Sequence, residues 1–173
     1  MTQNKNLPIK IGLSLGAALG VVVIGIGIIR YKTGMILRGD QILSYVYWGI
    51  FALSIFLAVS RFKKLDAPSF SFGQTIKIGL LAGLVSGTLY TLYIVILNNY
   101  IDPDLTSKII QYSEQVVASG SAEISKEDVR NSATIQLKSA IRGLIYTLIC
   151  MIVGIAYSLL STIALKRLYG VRV

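Results

Sequence analysis

The 173-residue chain contains no histidine, one cysteine (Cys150) and three prolines, and only 14% of its residues are charged. Each shortage excludes something. A lone cysteine cannot form a disulfide within the chain, and without histidine no cysteine–histidine metal site can be built. Cys150 lies in an apolar run and reads as a small apolar residue on a buried helix. Soluble globular chains usually carry about 25% charged residues. The low charge, with a mean hydropathy of +0.68, excludes that class.

What charge there is has a pattern. Lys5, Lys10, Arg30, Lys32, Arg38, Arg61, Lys63, Lys64, Lys77, Arg142, Lys166, Arg167 and Arg172 all flank long apolar runs. Cations in that position meet anionic headgroups or snorkel towards them. The net charge of +9 is therefore read as membrane anchoring. A nucleic-acid binder would need a basic patch or a recognised binding fold, so nucleic acid is not an expected partner.

Residues 11–29, 41–60, 78–101 and 143–165 hold no Asp, Glu, Lys or Arg. Each run is close to the roughly 20 residues a helix needs to cross the hydrocarbon core. Backbone amides in lipid must bond internally, so the runs are expected to be helices. The first run is longer than a signal-peptide core and no small-residue cleavage site follows it, so it is read as an uncleaved span. Tyr45, Tyr47 and Trp48 early in the second span, with Tyr90, Tyr93 and Tyr100 late in the third, suit an interfacial aromatic belt. The fold class is thus all-α: one integral membrane domain over 1–173 with four transmembrane helices.

The first two connections are short. The third, 102–142, is long and holds six of the eight acidic residues. It reads as an amphipathic helical hairpin between transmembrane helices three and four. Asp102 can cap the first helix with Pro103 at its first position, and Ile101, Leu105, Ile109, Tyr112 and Val116 form its apolar stripe. Gly120 is placed to end it. Ser125 with Asp128 three residues later resembles a capping box opening the second helix. Nothing breaks the pattern from there to Gly143, so that helix and the last span read as one rod. Counting Lys and Arg on each side, and discounting the long connection, places both termini in the cytoplasm.

Two spans echo one another. Ile9-Lys10-Ile11-Gly12-Leu13 and Ile76-Lys77-Ile78-Gly79-Leu80 are identical, and the match runs on through Gly12, Gly16, Gly20 and Gly79, Gly83, Gly87. Two hairpins related by an axis along the membrane normal would produce this; so would convergence among membrane helices of simple composition. Either way, glycines four apart let another backbone approach closely, a glycine-zipper packing of spans one and three with each other or with neighbours.

The search for chemistry yields little. Proton relays and ion-coupled transporters usually show ionisable residues within their spans, and none occurs in these four runs. The membrane hydroxyls are expected to bond their own helix or a neighbour. Asp102 with Asp104 and Glu127 with Asp128 are paired acids without calcium-loop spacing, and Gly25-Ile26-Gly27 lies within a span and is no phosphate loop. No catalytic, metal or cofactor residue is expected, and the chain is not read as an enzyme.

Ser71-Phe72-Gly73-Gln74 leading into Ile76-Lys77-Ile78-Gly79, followed by Asn99-Tyr100-Ile101-Asp102-Pro103-Asp104, resembles the bacterial membrane family called Domain of Unknown Function 4199. The resemblance implies four spans with a long connection before the last, a Bacteroidetes source and the bacterial inner membrane. It brings no activity, ligand or site residue. The function expected is a non-catalytic accessory or scaffold protein whose 102–142 connection meets a membrane-protein partner or the lipid surface. The alternative is a small homo-oligomeric transporter or channel-like protein for a neutral solute.

Overall fold

A computed structural model of the chain describes residues 6–38, 40–65, 70–118 and 139–168. Among these residues the regular structure is helical throughout, and four helices are long and apolar enough to cross a membrane. α1 runs Leu7–Lys32 with Pro8 in its first turn, where a missing N–H costs nothing. It ends at Gly34, whose φ of 70° is the left-handed conformation that glycine adopts without strain. A single turn, α2 (Met35–Arg38), precedes α3 (Ile42–Leu65). The Asp40 carboxylate opens α3 by accepting the Ile42 N–H at 2.9 Å.

α4 (Phe72–Ile96) passes into a π-helical turn, Leu97–Ile101, closed by the Asp102 N–H on the Leu97 carbonyl at 2.8 Å. α5 covers Leu105–Ala118 and α6 covers Ser139–Leu168. α1 and α6 overrun their charge-free runs at both ends, α3 at its C-terminal end and α4 at its N-terminal end, because a helix continues through the headgroup layer after its apolar residues stop. Of the expected hairpin, α5 is its first helix. The second helix, with Gly120, Ser125 and Asp128, lies outside the described residues.

α4 is the centre of the bundle, with its most extensive contacts to α6 and then α1. α3 closes the ring against α1 and α6 and scarcely meets α4. The glycine stripes set this order. A Cβ on Gly16 would lie 2.7 Å from Val85 Cβ and 3.0 Å from the Ala82 carbonyl oxygen. Gly12 faces Ile78 and Leu81, and Gly20 faces Leu89, so α1 runs parallel to α4. On another face of α4, Gly79 meets Gly154 and Ser158, Gly83 meets Cys150, and Gly87 meets Thr147, so α6 runs antiparallel. Each side allows backbones to approach as no larger residue would.

The repeated sequence does not produce equivalent packing. The α1 stripe faces α4, whereas the matching α4 stripe faces α6. A two-fold axis along the membrane normal would turn the α4 stripe onto α1, so the two hairpins are not related by one.

The outer faces are apolar. Leu53, Leu57, Leu148, Ile152 and Leu160 are exposed along the spans. The interior, by contrast, buries Thr75, Ser86, Thr147, Ser158, Ser161 and Thr162. All of these hydroxyls except that of Ser158 bond their own helix, as Ser161 does to the Tyr157 carbonyl at 2.7 Å. They also bond across helices: Thr162 donates to Thr75 at 2.8 Å, and Thr91 pairs with Thr147 at 3.0 Å. That distribution suits a lipid solvent.

A methyl group at Gly83 would fall inside van der Waals distance of the Cys150 backbone, whereas one at Gly49 would meet nothing within 4 Å. Gly83→Ala should therefore cost about 1–3 kcal/mol as overpacking against rigid backbone, and Gly49→Ala no more than about 0.5 kcal/mol. Thermal unfolding of the two variants in mild detergent checks this; indistinguishable melting would refute the packing account.

Candidate functional site

A cavity of about 390 Å³ opens among the four spans at the end where α1 and α4 finish and α3 and α6 begin. Its walls come from all four long helices. Val23, Ile26, Gly27 and Arg30 lie on α1; Ser44, Tyr47 and Trp48 on α3; Tyr90 and Ile94 on α4; and Gly143, Tyr146 and Ile149 on α6. Gln41, just ahead of α3, completes the rim.

Aromatic rings form much of the wall. Tyr90 and Tyr146 stand 4.4 Å apart between centroids, Trp48 and Tyr146 6.1 Å, and Tyr47 and Trp48 5.5 Å edge-to-face. This is the spacing at which aromatic pairs attract. The arrangement departs from an interfacial belt. Tyr45 and Tyr100 do face outward, but Tyr47 is 2% exposed and Trp48, Tyr90 and Tyr93 turn inward. α3 buries the stripe Tyr47, Phe51, Ile55, Val59 and Phe62, and that stripe brings the rings inside.

Among the described residues Arg30 supplies the only cation of the lining. It does not extend outward to headgroups, as its place beyond the first apolar run suggests. Its guanidinium turns towards α3, donating to Ser44 Oγ at 3.1 Å and to the Asp40 carbonyl at 2.8 Å. Its Nε is buried without a partner. The Tyr47 hydroxyl is also buried, near Ser86 and Tyr146 but without a well-formed hydrogen bond. The sequence signal for Arg30 is its register: Gly16, Gly20, Val23 and Gly27 are buried on α1, and Arg30 continues that stripe by three residues. Among the described residues no cluster of three His, Cys, Asp or Glu could hold a metal ion.

An extramembrane cap lies at the same end, where α5 packs on α2. Leu105 is buried, Ile109 and Val116 are partly buried, while Ile101 and Tyr112 stay exposed. α5 therefore rests part of its apolar stripe on its own chain. Asp102 and Pro103 stand differently from their expected roles as cap and first helical residue, because the helix begins at Leu105. The Lys108 N–H bonds to the Asp104 carbonyl, which places the cap position at Asp104. Asp102 is instead a tether. Its carboxylate accepts Lys108 Nζ at 2.9 Å and 3.0 Å and the Tyr31 hydroxyl of α1 at 3.2 Å.

The expected glycines are thus in helix contacts remote from Asp102, and none of the six lines the cavity. Fold and site together define a four-span, all-α membrane protein with an arginine-bearing cavity at the end that also carries a small polar cap. The chain belongs to the family described as Protein of unknown function (DUF4199), whose model matches residues 10–167. No curated protein and no solved structure matches it significantly.

The Lys108 ammonium, with the Tyr31 hydroxyl, holds the Asp102 carboxyl below its ordinary value of 3.8 against an opposing effect of burial. Asp102 in turn raises Lys108 above 10.5. A depressed carboxylate stabilises above its unfolded pKa and loses that effect as pH falls through its folded value; a raised ammonium stabilises below its unfolded pKa and loses the effect as pH rises through its folded value. The Tyr31 hydroxyl, raised above its ordinary 10.0 chiefly by burial, follows the same rule as the ammonium, so the tether should be at full strength between 3.8 and 10.0 and weaken only beyond them. Hydrogen exchange of α5 amides should be flat across neutral pH, relative to the intrinsic rate, and faster throughout in Asp102→Asn. Unaltered protection in that variant would refute the tether.

Proposed function

We propose that the protein is a non-enzymatic accessory or scaffold component of the bacterial inner membrane, with both termini in the cytoplasm. The observation that carries this reading is the contrast between the two ends. At one end α5 packs on α2 and is tied to α1 through Tyr31, Asp102 and Lys108, which supports reading α5 as a positioned surface rather than slack chain. Tyr100, Ile101 and Tyr112 remain exposed there for contact with a membrane protein or the lipid surface. The other end carries Lys10, Arg61, Lys63, Lys64, Lys77, Lys166 and Arg167, the side favoured for the cytoplasm by the positive-inside rule.

The family model adds no activity to this reading. A homo-oligomeric path for a neutral solute is less well supported, because the cavity among the spans carries an arginine.

Two experiments test the reading. In a Cys150→Ala background, Gln111→Cys should react with a membrane-impermeant maleimide in intact inner-membrane spheroplasts, and Lys64→Cys only after permeabilisation. The opposite pattern would reverse the orientation. A photo-crosslinking residue at Gln111 should capture a stoichiometric second protein or phospholipid in native membranes. Adducts only with further copies of this chain would move the reading to a homo-oligomer.

A further inference from the structure

The cavity presents an unusual combination: among the described residues, one half-buried cationic donor set beside aromatic walls. Arg30 has no carboxylate within ion-pair distance among the described residues. Its two terminal nitrogens donate to the neutral acceptors Ser44 Oγ and the Asp40 carbonyl, while Nε stays buried without an acceptor. A charge partly withdrawn from water and met only by neutral groups loses hydration, and a buried donor left unfilled adds to the cost. An anion within the cavity would relieve both, and guanidinium is the side chain best suited to planar, charge-assisted contact with phosphate or carboxylate.

The rest of the cavity calls for an apolar body. Trp48, Tyr90 and Tyr146 line it with Ile26 and Ile149, and its 390 Å³ falls in the roughly 300–1,000 Å³ range of small-molecule sites. Gln41 and Ile149 are exposed, so the cavity reaches the surface at both its polar rim and its apolar side. Arg30 lies one residue beyond the first charge-free run, at the outer end of the cavity, with the rings farther along the spans. A molecule lying there would meet a cation at its outer end and apolar walls inward.

We propose that this cavity binds an anionic amphiphile, its phosphate or carboxylate on Arg30 and its apolar chain along Trp48, Tyr90 and Tyr146. The assignment is independent of the scaffold reading. A purely mechanical clip between α1 and the α2–α3 turn would use the two terminal nitrogens alone and leave ligand preference indifferent to Arg30.

Trp48 is the chain's one tryptophan, so its emission reports on the cavity directly. The delipidated full chain, in an uncharged maltoside detergent, is titrated with short-chain phosphatidylglycerol, phosphatidylcholine with the same tails, and decanoate. The expected result is a saturable emission change with an anionic ligand, about ten-fold tighter than with the choline lipid. Arg30→Gln should lose about that ten-fold preference, Arg38→Gln should keep it, and Ile26→Phe should weaken binding by filling the cavity while leaving Arg30 in place. Melting curves establish that each variant is folded. Saturation by phosphatidylglycerol alone identifies a membrane lipid as the ligand, and saturation by decanoate as well extends it to free amphiphilic acids. Equal responses to the glycerol and choline lipids, non-saturating responses, or a folded Arg30→Gln protein that keeps its anion preference would each overturn the proposal.

Discussion

The approach of α4 to its neighbours at backbone distance is the constraint on which the bundle depends. In lipid, apolar side chains gain nothing by leaving one hydrocarbon surface for another, so helices associate through close packing and hydrogen bonds. α4 uses both. Gly79, Gly83 and Gly87 bring α6 against it, and Thr75 with Thr162 and Thr91 with Thr147 bond across the same seam. On another face, Ile78, Ala82 and Val85 receive the glycines of α1. Three helices are thereby drawn into one tight layer, two of them parallel.

The position of α3 follows from that layer. It cannot reach α4 closely, and it meets α1 and α6 through bulk instead of through glycine: Tyr47, Phe51, Ile55 and Val59 fill the interior against Leu19, Val23 and Leu165. One side of the ring is close-packed backbone and the other is ring-on-ring contact. Between them, where α1 ends and α6 begins, the packing opens into the cavity beneath Arg30. The cap of α2 and α5 stands at that end, so Arg30 and the Tyr31–Asp102–Lys108 tether lie together there.

The spans were legible in the sequence because charge is expelled from hydrocarbon so strongly that its absence marks them. The glycine stripes were legible as stripes. Their partners were not, because a flat groove says that something approaches and not what. The aromatic residues misled for a related reason. Depth along the chain placed Tyr47, Trp48 and Tyr90 at an interface, whereas their register on α3 and α4 turns them inward. Arg30 shows the same contrast, being beyond the apolar run by position and within the bundle by register. Asp102 reads as a cap from its neighbour Pro103, but its partner Tyr31 is distant in sequence and invisible to local reasoning.

The central claim, that α4 and α6 form one antiparallel seam within a single chain, is tested most directly by cysteine crosslinking in native membranes. The Thr91 and Thr147 hydroxyls lie 3.0 Å apart, and those of Thr75 and Thr162 2.8 Å, near enough for cysteines to meet the geometric demands of a disulfide. In a Cys150→Ala background, Thr91→Cys with Thr147→Cys and Thr75→Cys with Thr162→Cys should each oxidise within one chain. The outward-facing pair Leu53→Cys with Leu92→Cys should stay reduced. Failure of both seam pairs, or disulfides formed only between chains, would contradict the account.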